Sequence, residues 1–268
     1  MRHLRVQDGT KIAADIRDLG MSAPRLALVH SLAMDHAFWA PVIEHLAGYA
    51  SIVAIDARGH GQSDKPTGLY QVGLMAQDLS DVIDAIGWKS VVVAGASMGG
   101  CVALQFAASY ADKVCGLGLI DTTAWYGESA PTDWAARAAR AETEGLSALV
   151  EFQRTRWFSD EFKDRHRDVV ERCVDTFLRN DVSAFAATCK MLGAFDGRPL
   201  LSAVKCQTTV VVGEEDYAAP EAMAAALHDG IAGSRFVLIP RARHLTPLET
   251  PALVADELRA LLSAAANS

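Results

Sequence analysis

The stretch Val91–Gly100, which reads VVVAGASMGG, indicates the fold of the whole chain. Its β-branched first half is typical of a buried strand, and the small residues that follow Ser97 are typical of a helix. Gly95 and Gly99 flank this serine in the pattern G-x-S-x-G, where a side chain on either glycine would hold strand and helix apart. We therefore expect a strained turn that presents the Ser97 hydroxyl at a helix N-terminus, as a nucleophile requires.

Strand and helix patterns alternate on both sides of this turn. Asp8-Gly9 predicts a hairpin, and several further apolar runs read as buried strands. The predicted strands besides Val91–Ala96 are Leu4–Val6, Lys11–Arg17, Arg25–His30, Ser51–Asp56, Val114–Ile120, Thr208–Gly213 and Arg235–Pro240. Helical spacing lies between them, which is typical of an α/β fold with a mostly parallel sheet and helices on both faces.

The alternation is interrupted once, after the strand Val114–Ile120. From about Trp125 to Ala194 only helical patterns occur, which predicts an insertion of three or four helices. They are expected near residues 132–142, 146–157, 161–179 and 182–192. A last helix is predicted at Pro251–Leu262, and the Ala-rich tail Ser263–Ser268 reads as disordered.

The composition excludes several classes of protein. A formal net charge of −8 and the lack of a basic run argue against nucleic acid and anionic membrane surfaces as partners. No apolar stretch approaches the roughly 18 residues that would span a bilayer, and no signal peptide is visible at the start. The five cysteines are scattered and lack C-x-x-C spacing, so we expect neither a metal site nor a disulfide framework, and a cytoplasmic location.

A nucleophilic serine needs a base to take its proton and a carboxylate to orient that base. In an open α/β sheet these groups belong in loops beyond the C-terminal ends of strands. Asp216 and His244 follow the last two predicted strands, and the order Ser97, Asp216, His244 is typical of this architecture. Asp121 also ends a strand and is an alternative acid, although loop position favours Asp216. The remaining competitors, Glu214 and Glu215, are interpreted as helix caps or local negative charge.

The oxyanion of a tetrahedral intermediate needs two N–H donors. We expect one from Met98, which follows the nucleophile, and the other from Leu32, in the loop after the strand Arg25–His30. His30 is interpreted as a structural residue that organises this loop.

These motifs together resemble the α/β-hydrolase family over nearly the whole chain. The matching stretches are HSLAMD at His30–Asp35, DARGHGQSD at Asp56–Asp64, GASMGG at Gly95–Gly100, GEEDYAAP at Gly213–Pro220 and ARHLTPLETP at Ala242–Pro251. The resemblance implies an eight-stranded sheet and no cofactor. It also implies a core made of residues 1–123 and 196–268, with a helical cap at 124–195.

Within this family the chain looks most like 3-oxoadipate enol-lactonases. Ser31 and Leu32 match their N-S-L-G loop, whereas His30 replaces the asparagine and Ala33-Met34 replaces Gly-Thr. The resemblance implies hydrolysis of a lactone or carboxylic ester of a small molecule through an acyl-enzyme. The residues that we expect to contact the substrate are Ser31, Trp39, Trp134, Arg137, Arg156 and Trp157. The two arginines are candidate carboxylate partners, because a guanidinium binds a carboxylate in a bidentate manner.

Other functions remain open at this stage. The same triad would serve another small-molecule esterase or amidase, or a hydrolase of carbon–carbon bonds. A binding protein with slow turnover is a further alternative, although every expected catalytic group is present. A serine at position 97 argues against dehalogenases and epoxide hydrolases, which would have a carboxylate there.

Overall fold

The computed structural model describes residues 1–266, and eight strands form one sheet in the order β1-β2-β4-β3-β5-β6-β7-β8. Strands β1 and β2 pair antiparallel, β2 pairs antiparallel with β4, and all other pairs are parallel. The strands are β1 Arg2–Arg5, β2 Lys11–Arg17, β3 Arg25–Val29, β4 Ser51–Ile55, β5 Val91–Ala96, β6 Val114–Ile120, β7 Gln207–Gly213 and β8 Arg235–Ile239. The predicted α/β class and the mostly parallel sheet are confirmed.

Eleven α-helices surround the sheet in the part of the chain that the structure describes. They are α1 Ala40–His45, α2 Val72–Ala85, α3 Met98–Ser109, α4 Ala130–Glu144, α5 Val150–Trp157, α6 Asp160–Arg165, α7 Arg167–Leu178, α8 Val182–Gly193, α9 Glu221–Gly230, α10 Thr246–Glu249 and α11 Pro251–Ala266. Short 3-10 helices lie at His36–Trp39, Leu146–Leu149 and Arg198–Ala203. Within residues 1–266, no helix combines the length and the apolar character needed to cross a membrane.

The central strands are covered on both faces, which explains their continuous apolar sequences. Every residue of β4 and β5 is buried. On β6, Gly116 and Gly118 leave room for α11, since a Cβ on Gly118 would lie 3.2 Å from Leu258 and 2.8 Å from Ala94. The sheet therefore holds the ends of its parallel strands in fixed positions, and the loops after them are anchored at one edge.

Helices α4 to α8 are inserted along the chain between β6 and β7, and we call residues 124–195 the cap. Its two ends meet at the sheet, where Trp125 and Asp196 form an antiparallel bridge. The Gly197 amide also donates to the Ala124 carbonyl at 2.7 Å. The chain thus enters and leaves the cap at one place, shortly after the C-terminal end of β6.

Two predicted elements differ from the structure. The helix expected at 161–179 is broken between α6 and α7, because His166 leaves the helical conformation with φ −126° and ψ 49° and stacks on Phe162. The tail expected to be disordered from Ser263 continues α11 as far as Ala266, since its residues are good helix formers and Ala265 packs against Gly116. Residues 267 and 268 of that prediction lie outside the described part of the chain.

Candidate active site

Ser97 occupies the turn between β5 and α3 with a backbone φ of 53° and ψ of −116°, a conformation that a non-glycine residue rarely adopts. The flanking glycines make this turn possible. A Cβ on Gly95 would lie 1.9 Å from the Gly99 carbonyl oxygen, and one on Gly99 would lie 2.1 Å from that of Val29. The G-x-S-x-G pattern therefore has the steric basis that the sequence indicated, and strain at Ser97 is maintained by the packed strand and helix.

Three side chains from separate loops form one hydrogen-bonded series. The Ser97 hydroxyl lies 2.9 Å from Nε2 of His244, and Nδ1 of His244 lies 2.8 Å from Oδ2 of Asp216. All three residues are buried. The other oxygen of Asp216 accepts hydrogen bonds from the amides of Ala218 and Ala219, at 2.7 and 2.9 Å. These contacts fix the carboxylate, and through it they fix the orientation of the imidazole.

The alternative acid, Asp121, makes different contacts. Its carboxyl group accepts hydrogen bonds from the Gly213 amide at 3.2 Å and from the Thr246 amide and hydroxyl at 3.0 and 2.7 Å. Burial, together with the nearby charge of Asp216, raises the pKa of the Asp121 carboxyl well above its usual range. Asp121 therefore connects the end of β7 to α10, and it is Asp216 that meets the His244 ring.

Glu214 and Glu215 also face away from the imidazole. Glu214 accepts the Arg241 amide at 2.8 Å, and Glu215 pairs with the Arg243 guanidinium at 3.3 Å. Neither glutamate lines the cavity above Ser97. Glu214 is thus held by a backbone amide, and the charge of Glu215 is paired with a basic side chain of the neighbouring loop.

The amides of Leu32 and Met98 are the two expected oxyanion donors. Neither donates a hydrogen bond to an acceptor within residues 1–266, so both are free for a ligand. The loop that carries Leu32 is held by His30, whose Nδ1–H donates to the Ser31 carbonyl at 2.8 Å while its Nε2 accepts the Ala57 amide at 3.0 Å. His30 is fully buried and does not contact the triad, which fits the structural role inferred from the sequence.

A narrow cavity of about 40 Å³ opens directly above Ser97 and His244. It continues into an outer cavity of about 540 Å³ under the cap, and the two share part of their walls. Of the residues expected to contact substrate, the inner cavity is lined by Ser31, Trp134, Arg137, Arg156 and Trp157. The cap therefore forms the roof over the triad.

Trp39 is the exception among these predictions, and the structure corrects it. The indole is fully buried and packs edge-on against Phe38, with ring centroids 5.2 Å apart. Asp35 caps the 3-10 helix that follows the loop by accepting the Ala37 amide at 3.0 Å. This tight turn directs Trp39 into the core, away from both cavities.

Arg137 and Arg156 reach the cavity from the cap without a carboxylate partner in the described part of the chain. The Arg137 guanidinium lies 4.2 Å from the Trp134 ring and 4.7 Å from that of Phe152. Arg156 donates to the Tyr217 carbonyl at 2.6 Å. Burial lowers the pKa of both guanidinium groups, so an anion between them would relieve an unfavourable environment.

The sequence analysis missed two polar residues of the inner cavity, Tyr126 and Gln153. Gln153 is only 6 % exposed, and its side-chain amide makes no hydrogen bond within residues 1–266. Tyr126 follows β6 and lines both cavities. Neither residue belongs to a catalytic motif. For Tyr126, the only signal in the sequence is its place in the loop that follows β6. The described residues contain no group of three or more metal-ligating side chains.

Comparison with known proteins identifies the family. A family model described as alpha/beta hydrolase fold matches residues 24–251, so the chain belongs to the α/β-hydrolase family. It is 29 % identical to 3-oxoadipate enol-lactonase 1 of Acinetobacter baylyi over 234 residues, which cover 86 % of this chain and 85 % of that protein. The resemblance to enol-lactonases predicted from the sequence is thereby confirmed.

Solved structures agree with this assignment. The enol-lactonase from Burkholderia xenovorans LB400 superposes with a TM-score of 0.93 at 30 % identity, covering 98 % of this chain and 100 % of that one. A thermophilic esterase from Thermogutta terrifontis, solved with malate bound, gives a TM-score of 0.91 at 29 % identity and covers 98 % of both chains. The family and these relatives support hydrolysis of an ester or lactone as the general activity.

Proposed function

We propose that this protein is a cofactor-free serine hydrolase of a small lactone or ester that carries a carboxylate, with 3-oxoadipate enol-lactone as the first candidate. The observation that carries this proposal is the hydrogen-bonded series Ser97–His244–Asp216 beneath two arginines that lack acidic partners. A nucleophile, an oriented base and an anion site thus converge on one cavity.

In the proposed mechanism, Ser97 attacks the carbonyl carbon and His244 takes its proton. Asp216 holds the imidazole and stabilises its positive charge. The amides of Leu32 and Met98 donate to the oxyanion of the tetrahedral intermediate. His244 returns the proton to the leaving oxygen, which leaves an acyl group on Ser97. The neutral imidazole then activates water, and hydrolysis of the acyl-enzyme restores the serine.

The substrate class follows from charge. Arg137 and Arg156 are partly desolvated and unpaired, and a carboxylate is the ligand that best matches a guanidinium. The relatives named 3-oxoadipate enol-lactonase act by name on a lactone derived from a dicarboxylate, and the related esterase was solved with malate, also a dicarboxylate. Both likenesses support an anionic substrate. Ser31, Gln153, Trp134 and Trp157 would contact the rest of the molecule.

The test is hydrolysis of 3-oxoadipate enol-lactone, followed by loss of its ultraviolet absorbance, beside p-nitrophenyl acetate as a neutral ester. We expect rapid lactone turnover that Ser97→Ala abolishes. Arg137→Gln should raise KM for the lactone about 10-fold or more and leave the acetate reaction nearly unchanged. Arg140→Gln, at an exposed arginine of the outer cavity, is the matched control.

The other outcomes separate the alternatives. Activity on the acetate alone would leave Ser97 as the nucleophile but reject the enol-lactone. Equal loss of both activities in Arg137→Gln would contradict a role in carboxylate binding. Absence of turnover with both compounds would favour a different substrate, a carbon–carbon bond hydrolase or a binding protein on the same fold.

A further inference from the structure

The Tyr126 hydroxyl is a polar group at the nucleophile for which the mechanism above has no use. The residue lines the inner cavity together with Ser97 and His244. Its Oη lies 3.8 Å from the thiol of Cys101, which is carried by the helix that begins directly after Ser97. Tyr126 therefore borders the part of the inner cavity where bonds to a substrate would form and break.

The position of Tyr126 is well fixed. Its ring packs edge-on against Trp134, with centroids 5.3 Å apart. The preceding backbone is held by the bridge between Trp125 and Asp196 and by the Thr123 hydroxyl, which donates to the Trp125 carbonyl at 2.9 Å. The hydroxyl therefore reaches the cavity from a rigid segment at the base of the cap, which is a condition for stabilising a transition state.

The environment of the phenol makes it a donor and not a base. Burial raises its pKa well above the usual range, and burial likewise raises the pKa of the neighbouring Cys101 thiol to about 11. Both groups thus stay protonated at neutral pH. The Tyr126 hydroxyl can give a hydrogen bond to an oxygen in the cavity while it keeps its proton.

A lactone creates a specific need for such a donor. When an acyclic ester acylates a serine, its alcohol leaves the site. When a lactone does so, the leaving oxygen remains attached to the acyl chain and stays close to the acyl carbon. It can attack again and expel the serine, and while it is hydrogen-bonded to the imidazole it keeps the base from water.

We propose that Tyr126 is a further catalytic residue, whose hydroxyl binds the ring oxygen of a lactone after the ring opens and so releases His244 to activate water. This inference rests on the proposed function. The bond between the acyl carbon and the ring oxygen breaks, and its electron pair goes to that oxygen, which receives the proton held by Nε2 of His244. Tyr126 then donates a hydrogen bond to the new hydroxyl. The neutral imidazole takes a proton from water as the water oxygen attacks the acyl carbon. The imidazolium then returns this proton to Oγ of Ser97 as the bond between Oγ and the acyl carbon breaks.

The test compares dihydrocoumarin with phenyl propionate, which have the same kind of phenolic leaving group. Only in dihydrocoumarin is that group tethered to the acyl chain. In Tyr126→Phe we expect kcat to fall about 10-fold or more for the lactone and by less than about 2-fold for the acyclic ester. Tyr110→Phe removes a hydroxyl at the C-terminal end of α3, outside both cavities, and serves as the control for both substrates.

The comparison can fail in distinct ways. If Tyr126→Phe slows both substrates equally, or neither, the role at the tethered oxygen is overturned while the proposed hydrolase function stands. If the wild-type protein cleaves phenyl propionate but no lactone, the proposed lactone function and the role of Tyr126 fall together. The phenyl ring is kept in this variant, so unchanged thermal unfolding would show that its contact with Trp134 persists.

Discussion

The guanidinium of Arg243 donates a hydrogen bond of 3.0 Å to the Phe158 carbonyl, across the boundary between the core and the cap. Arg243 directly precedes His244, and on its other side the Leu245 amide donates to the Trp157 carbonyl at 3.1 Å. Both neighbours of the triad histidine are therefore attached to the end of α5. The same end of α5 supplies Trp157 to the wall of the cavity.

This attachment predicts that Arg243→Ala lowers kcat about 10-fold, because His244 would no longer be held at hydrogen-bonding distance from Ser97. The substitution also removes the contacts of the Arg243 guanidinium with the Thr155 carbonyl and with Asp160, so the melting temperature should fall as well. Kinetics would be measured well below that temperature. Arg172→Ala, which removes an exposed pair with Asp168, is the control. A destabilised Arg243→Ala variant with unchanged kcat would show that the arginine only supports the fold.

The two buried aspartates should respond differently to amide substitution. Asp216→Asn is expected to lower kcat about 10³-fold or more, because an amide cannot hold the His244 ring in the required tautomer. Asp121→Asn should retain activity within about 10-fold, since its contacts are with Gly213 and Thr246. Steady-state kinetics of the two variants on the same ester would show which aspartate orients the His244 ring. The reverse ranking would identify Asp121 as the acid.

Acidification should destabilise the protein through its buried histidines. Burial, together with the nearby His30, lowers the pKa of His60 to about 3, and burial also lowers that of His30. In the unfolded chain both rings bind a proton near pH 6.5, so the free energy of unfolding should fall as the pH drops below this value. His60 alone should lower the free energy of unfolding by about 1.4 kcal/mol for each pH unit between about pH 6.5 and its folded pKa.

His36 should give the opposite dependence of stability on pH. A hydrogen bond to Asp56 raises the pKa of His36, so its contribution is complete below pH 6.5 and is lost as the pH rises through its folded pKa. Urea unfolding between pH 5 and about 8 would measure both effects, since the His60 term changes below about pH 6.5 and the His36 term above it. The slope of stability against pH should be shallower in His60→Asn than in the wild type, and identical slopes would contradict the assignment.

A glycine beside the nucleophile and a glycine in α2 should respond in opposite ways to substitution by alanine. Gly95→Ala would place a Cβ 1.9 Å from the Gly99 carbonyl oxygen, and we expect a loss of about 3 kcal/mol or more, or no folded protein. Gly73→Ala lies in α2 with nothing within 4 Å of the new Cβ and should stabilise by about 0.5–1 kcal/mol. Denaturant unfolding measures both. A tolerated Gly95→Ala would mean that the strand–helix junction can relax.

The fold and the hydrogen-bonded series Ser97–His244–Asp216 were predictable because they depend on local patterns. Ser97 lies in a turn that only a few residue types allow, and Asp216 and His244 follow strands with clear β-branched runs. The identity of the acid was less certain, because Asp121 and Asp216 both end strands. Their partners distinguish them, and partners depend on the three-dimensional arrangement of three loops.

The cavity walls were only partly predictable. Trp39 was wrongly expected to contact substrate, because sequence position after the Leu32 loop does not show which way a 3-10 turn directs the ring. Tyr126 was missed because it lies in the loop before α4, outside any catalytic motif, and Gln153 on α5 was missed for a related reason. Helical spacing places residues on a face of the cap, but it does not show which face covers the nucleophile.

The bridge between Trp125 and Asp196 brings the two ends of the cap together at one point of the core. Because the chain leaves and rejoins the core between two hydrogen-bonded neighbours, a different helical insert could be grafted there without altering the register of β6 against β7. Such a graft would change the roof of the cavity and keep the loops that carry Ser97, Asp216 and His244. The contacts of α5 with the loop of His244 set the limit, since any new insert must provide equivalent acceptors.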